Sequence, residues 1–178
     1  MKKELIVAGF GGQGALVIGK NLAEAGMAEG LNVTWAPSYG PEMRGGTANC
    51  SVVMSTERVG SPVFAHPTEL IALNLPSLLK FQDDVVSGGI IFVNSDVITE
   101  KVERTDVTVY YVPCSKIAEQ VGNPKASNMV MLGAYIAATK VVKDETAKEI
   151  IKEMFTGAKA KFVPANIAAL EGGMACIG

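Results

Sequence analysis

Residues 8 to 20, AGFGGQGALVIGK, place glycines at 9, 11 and 14 directly after the apolar run ELIVA. An apolar run, a glycine turn and then apolar residues at helical spacing describe a strand that bends sharply into a helix, the opening of an α/β unit. Glu4 to Ala8 reads as a buried strand. Gln13 to Glu29 reads as a helix on which Ala15, Ile18, Gly19, Leu22 and Gly26 recur at i, i+3, i+4 intervals, a stripe made largely of small residues. Asn32 to Ala36 reads as a second strand after Gly30, a glycine suited to the end of a helix. The first 36 residues thus form a strand, helix, strand unit, for which parallel pairing is the expectation.

The same glycines raise the question of a ligand. Gly9, Gly11 and Gly14 fit the spacing of the dinucleotide fingerprint, whose glycines allow a tight turn, a close approach to pyrophosphate and helix-to-sheet packing. That fingerprint also needs an acid near the end of the second strand to hold the ribose hydroxyls. Here the strand ends in Val33, Thr34, Trp35 and Ala36, and no carboxylate follows until Glu42. A phosphate-loop reading fails differently. Gly14 to Lys20 satisfies the first seven positions of the pattern, but Asn21 stands where the magnesium-binding Ser or Thr belongs, and the glycines fall within the helix. Two readings stay open for the loop: glycines that merely permit a turn, and a helix N-terminus whose free amides attract an anion.

Residues 37–46, PSYGPEMRGG, hold two prolines and three glycines and read as an irregular loop at the end of a strand, a common place for function. Arg44 lies in that loop, and the only cations between Lys20 and Lys80 are Arg44 and Arg58. It is a candidate anion or partner clamp, with a surface pair to Glu42 as the alternative. TANCSVVMS (47–55), ELIALN (69–74), GIIFVNSD (89–96) and VTVYYVP (107–113) read as strands, with a short helix started by Pro76 in between. Everything after Cys114 reads as helical: SKIAEQVG, then 126–142 capped by Ser127 or Asn128, then a helix capped by Asp144, and a last one near Pro164 to Leu170. The helix at 126–142 is apolar almost all round, which calls for burial on more than one side or for a subunit interface. The expected architecture is a three-layer Rossmann-like α/β fold, mostly parallel, with helices on both faces of the sheet and residues 1–178 as a single domain.

What is missing narrows the chemistry. Cys50, Cys114 and Cys176 lie more than sixty residues apart, unlike zinc or iron–sulfur ligands, and are expected to be small buried hydrophobes of a reducing cytoplasm. No apolar run is long enough for a membrane helix, and the short basic lead runs straight into the glycine turn with no cleavage site, so a soluble cytoplasmic protein is expected. A net charge of −2 with three arginines among sixteen cations provides no footprint for nucleic acid. His66 is the single histidine, placed before Pro67 in a turn-like segment, and no hydrolase or zinc-protease motif accompanies it. No catalytic residue is assigned and no metal site is expected. The chain reads as a Rossmann-like module whose chemistry lies on another polypeptide.

Four stretches, GFGGQG, SYGPEMRGGTANCSVVMS, GGIIFVNSD and NMVMLGA, together resemble the gamma subunit of the 2-oxoacid:ferredoxin (acceptor) oxidoreductases over nearly the entire chain. SYGPEMRGG is the most specific of them. The resemblance implies a part in oxidative decarboxylation, in which a 2-oxoacid and coenzyme A become acyl-CoA and CO₂ while electrons pass to ferredoxin. It also implies alpha, beta and ferredoxin-like delta subunits as partners, with thiamine diphosphate between alpha and beta and iron–sulfur clusters on beta and delta. This chain alone would bind no cofactor and would contribute to the coenzyme A site through Gly11, Gly12, Gln13 and Gly14 in the first loop and Tyr39, Glu42, Arg44 and Gly46 in the second. The substrate implied is 2-oxoglutarate or a branched-chain 2-oxoacid. The related indolepyruvate oxidoreductase small subunit, a stand-alone dinucleotide-binding oxidoreductase and a pure scaffold subunit are the competing readings.

Overall fold

The computed structural model describes residues 1–39 and 47–177. Six strands form one sheet: β1 (Lys2–Phe10), β2 (Asn32–Tyr39), β3 (Thr47–Ser55), β4 (Glu69–Ala72), β5 (Ile90–Asn94) and β6 (Thr108–Val112). Their spatial order is β2-β3-β1-β4-β5-β6. The pairs β1–β4, β4–β5 and β5–β6 are parallel, whereas β3 runs antiparallel to both of its neighbours. Five of the six strands therefore point the same way.

One expectation fails here: β2 does not pair with β1. The residues that join β2 to β3, 40–46, are far fewer than the dozen or so that a parallel crossover requires, so the two strands fold back as an antiparallel pair and β3 takes the place beside β1. Residues 37–39, read as loop because of Pro37, continue β2. The strand lies at the edge of the sheet, where a proline's missing N–H can face away from the ladder.

Alternation along the strands sorts the core into two layers. Leu5, Val7, Val52, Met54, Ile71 and Phe92 face one side, under α1 (Ala15–Ala28), α3 (Cys114–Gln120), α4 (Ser127–Thr139), α5 (Asp144–Met154) and α6 (Val163–Ile177). Ile6, Ala8, Leu70, Ala72, Ile91 and Val93 face the other side, which is covered by α2 (Leu75–Phe81) together with Val85 and Ile98. Helices thus lie on both faces, very unequally. The small-residue stripe of α1 works as its spacing suggests: a Cβ at Gly19 would run into Cys50 and come within 3.1 Å of the Trp35 indole, and one at Gly26 would lie 3.0 Å from Val33.

The apolar helix α4 is buried by the core itself. Residues 129–136 are all buried, and α4 crosses α6 so closely that a Cβ at Gly133 would strike the Leu170 carbonyl and one at Gly173 the Val130 carbonyl. This explains why α6 extends well past Leu170: Gly172 and Gly173 do not end the helix but let it pass its neighbour. The expected caps shift by one residue. Ala126 and Lys143 occupy the cap positions with no capping side-chain bond, and Ser127 and Asp144 are the first helical residues. Asp144 still lies in the first turn, where its charge favours the helix dipole.

Candidate functional site

The chain leaves β1 through α1 towards β2 on one side of the sheet, while β4 leads on to β5 and β6 on the other. The strand order therefore reverses between β1 and β4. In open α/β sheets ligands bind outside the carboxyl ends of the strands at such a point, and the glycine loop stands there.

Gln13 shapes this loop. Its backbone N–H donates to the Phe10 carbonyl at 3.1 Å, its Oε1 accepts from the Phe10 N–H at 2.6 Å, and its Nε2 donates to the Leu73 carbonyl at 3.1 Å. The side-chain amide therefore bridges the ends of β1 and β4 and fills the crevice between them. Gly9 leaves room for it, since a Cβ there would lie 2.8 Å from the Gln13 Oε1 and 2.9 Å from Leu73. Gln13 thus acts on the loop's shape, with both ends of its amide already bonded within the protein.

Gly12 and Gly14 adopt positive φ, 91° and 83°, which favours glycine at both. Gly14 holds the cap position of α1, and a Cβ on it would press into the side chain of Asn128 at the start of α4. Asn128 lies within the NMVMLGA motif, but its contact with the glycine loop could not be read from spacing, because α4 reaches the loop only through the tertiary packing. Gly11 and Gly12 are exposed. With Phe10, Gly14, Leu16 and Ala48 they border an open, mostly apolar cavity of about 400 Å³.

The start of α1 carries no capping side chain and no acid in its first turn. The first amides of a helix have no acceptor within it, so this end retains its positive partial charge beside the cavity. An anionic group is the natural complement of such an end, a weak attraction of about 0.3–1 kcal/mol when exposed. Register brings the ends of β2 and β3 to the same place: Phe10 lies opposite Thr47 and Gly9 opposite Ala48, and Ala48 is also opposite Tyr39. The end of β2 and the start of β3 thus lie next to the first loop. Glu42, Arg44 and Gly46 themselves lie outside the described residues.

The remaining candidates separate cleanly. Lys20 is exposed on α1, 3.9 Å from Glu24, and Gly19 is packed inside the helix, so the phosphate-loop pattern has no phosphate-loop geometry. His66 is exposed in a bend. Cys50 and Cys114 are buried, and burial pushes the Cys50 thiol, whose Sγ donates to the Ala15 carbonyl at 3.7 Å, up to about 11. Cys176 departs from expectation, being exposed near the end of α6 with its Sγ 3.1 Å from the Gly173 carbonyl. Among the described residues no group of three or more His, Cys, Asp or Glu is placed to hold a metal ion, and no helix is long and apolar enough to cross a membrane.

Comparison with known proteins agrees with this geometry. The family model described as pyruvate ferredoxin/flavodoxin oxidoreductase matches residues 4–176. The ketoisovalerate oxidoreductase subunit VorA of Methanothermobacter thermautotrophicus is 46% identical over 168 residues, 94% of this chain and 35% of VorA. This chain therefore spans about a third of that relative's length. The 2-oxoglutarate synthase subunit KorC of Methanothermobacter marburgensis is 38% identical over 159 residues, which is 85% of this chain and 86% of KorC. Among solved structures, a 2-oxoglutarate:ferredoxin oxidoreductase from Magnetococcus marinus, with 2-oxoglutarate, coenzyme A and succinyl-CoA bound, superposes with a TM-score of 0.91 at 25% identity. That match covers 99% of this chain and 31% of the other. With a glycine turn at the strand reversal and a family match from the first strand to the last helix, this chain belongs to the pyruvate ferredoxin/flavodoxin oxidoreductase family.

Proposed function

We propose that this chain is the gamma-type subunit of a cytoplasmic, multisubunit 2-oxoacid:ferredoxin oxidoreductase that converts a 2-oxoacid and coenzyme A to acyl-CoA and CO₂ and reduces ferredoxin. The observation that carries this reading is the match to KorC, which spans most of both chains and so relates this protein to a whole subunit. The partners are alpha, beta and ferredoxin-like delta subunits. Thiamine diphosphate on the partners supplies the chemistry that cleaves the 2-oxoacid, and their iron–sulfur clusters carry the electrons away. The substrate is 2-oxoglutarate or a branched-chain 2-oxoacid, the two kinds named for the relatives.

This chain's own part is positional. Gly11, Gly12 and Gly14, with the uncapped start of α1, receive a phosphate or pyrophosphate of coenzyme A. Gln13 holds the loop in shape from below. Tyr39, Glu42, Arg44 and Gly46 complete the site from the second loop, with Arg44 facing the anion or docking a neighbouring subunit. The bound structure of the Magnetococcus relative supports coenzyme A as the ligand class, and the exposed glycines beside an open cavity supply room for its approach to the backbone.

A tagged pull-down from the anaerobically lysed host tests the reading. The co-purifying chains are identified, and the eluate is assayed for coenzyme A-dependent viologen reduction with a panel of 2-oxoacids. Recovery of thiamine diphosphate and iron–sulfur subunits with activity on one oxoacid is the expected result. A chain recovered alone that binds a nicotinamide cofactor would overturn it.

A further inference from the structure

α1 and α5 lie side by side on the same face of the sheet, and between them runs an open groove of about 700 Å³. α1 contributes Val17, Asn21, Glu24 and Ala28 at i, i+4, i+7, i+11, flanked by Lys20 and Met27, and α5 contributes a single turn, Ile150, Glu153 and Met154. A seam of that period beside a second helix suits the packing of a third, and α1, at fourteen residues, is about 21 Å long. Apolar side chains are exposed along it too: Met27 is 57% exposed and Val17 36%. Val17 also lines the glycine-loop cavity, so the groove adjoins the candidate site at that residue.

The polar groups say what an occupant must bring. Asn21 is only 1% exposed, its Nδ2 reaches nothing better than the Met154 sulfur at 3.5 Å, and its Oδ1 has no hydrogen-bond partner. A buried acceptor left in that state costs stability until a donor arrives. Met154 is its cover, an unbranched thioether that moves aside readily. Glu153 is exposed with no cation in ion-pair range among the described residues, and Glu24 has only Lys20, at the 3.9 Å limit. Two carboxylates and an orphaned acceptor thus stand against a single cation, Lys20, in a groove otherwise lined by apolar side chains.

We infer that this groove seats a helix of another subunit of the oxidoreductase, one that carries a lysine or arginine flanked by aliphatic side chains. The inference rests on the subunit reading above and deepens it. The cationic side chain passes between Glu24 and Glu153 towards Asn21, while its aliphatic neighbours cover Val17, Met27 and Ile150. Docking there places the partner against the glycine loop.

The test uses the complete set of subunits, co-expressed anaerobically with this chain tagged. Glu153→Lys is expected to weaken recovery and affinity of the partner subunits about tenfold or more, with Glu153→Gln in between, while the unfolding midpoint of the isolated chain stays unchanged. A photo-reactive amino acid in place of Met27 is expected to attach to one partner subunit within two turns of a lysine or arginine in a helix. Wild-type recovery of the partners with undiminished binding by Glu153→Lys would overturn the groove proposal alone, as would a Met27 adduct confined to a second copy of this chain. A wild-type chain that recovers no oxidoreductase subunit would count against the subunit reading and overturn both.

Discussion

Gly12 is the residue on which the loop assignment turns. Its φ of 91° favours glycine, yet a Cβ added to it meets nothing within 4 Å, so a side chain there would project into open space at the mouth of the cavity. Gly12→Val in the assembled enzyme is expected to raise the KM for coenzyme A about tenfold or more, at little cost in kcat, because a handle remote from the reacting atoms holds substrate and transition state equally well. Gly30 supplies the control, since it has a φ of 83° and equally open surroundings at the far end of α1. Gly30→Val carries the same kind of backbone strain and should leave KM unchanged. An unaltered KM for Gly12→Val would remove coenzyme A from this loop.

At the scale of elements, the crossing of α4 and α6 is the most demanding contact. Gly133 and Gly173 each face a backbone carbonyl of the opposite helix, and a carbonyl cannot rotate away as a side chain can. Gly133→Ala is therefore expected to destabilise the chain by about 2–3 kcal/mol despite alanine's better helix propensity, through the overpacking of a filled core. Urea unfolding of the isolated chain measures this, and stability equal to or above wild type would show that the helices can separate without cost. The same crossing explains an element misread from sequence. The last helix, expected near Pro164 to Leu170, runs on through Gly172 and Gly173, and only the position of α4 makes Gly173 a packing surface.

For the molecule as a whole, Cys50 sets a dependence on pH. Buried between α1 and the sheet, its thiol is held at about 11 against an ordinary 9.0, so on alkalinisation the unfolded chain loses this proton first. The contribution to stability is complete below pH 9 and is lost as pH rises towards 11, by about 2–3 kcal/mol. Cys50→Ala should lower stability at neutral pH, because the space the sulfur fills is left empty, but make the decline between pH 9 and 11 shallower, the remainder coming from Cys114, whose thiol burial raises further still. A decline as steep as in wild type would mean that other groups govern it.

Much of this molecule is legible in its chain because the relevant physics is local. The strand ELIVA, the glycine turn and the small-residue stripe of α1 follow from period and residue size, and the β-branched run TANCSVVMS matches β3 residue for residue. The glycine motif falls at the strand reversal between β1 and β4. Pairing was not legible: whether β1 meets β2 or β3 depends on how the short connection 40–46 returns the chain, and neighbouring strands carry no local sign of each other. Nor was the position of Gln13, which seals the crevice at the strand reversal only because β4 ends beside β1. Sequence by itself determined most of the segments that become strands and helices and the place of the sharp turn between β1 and α1, through periodicity and the special conformations of glycine. Tertiary structure alone decided which segments touch, and with them the inward turn of Gln13, the Asn128 contact on Gly14 and the orphaned acceptor of Asn21, because these arise between residues far apart in the chain.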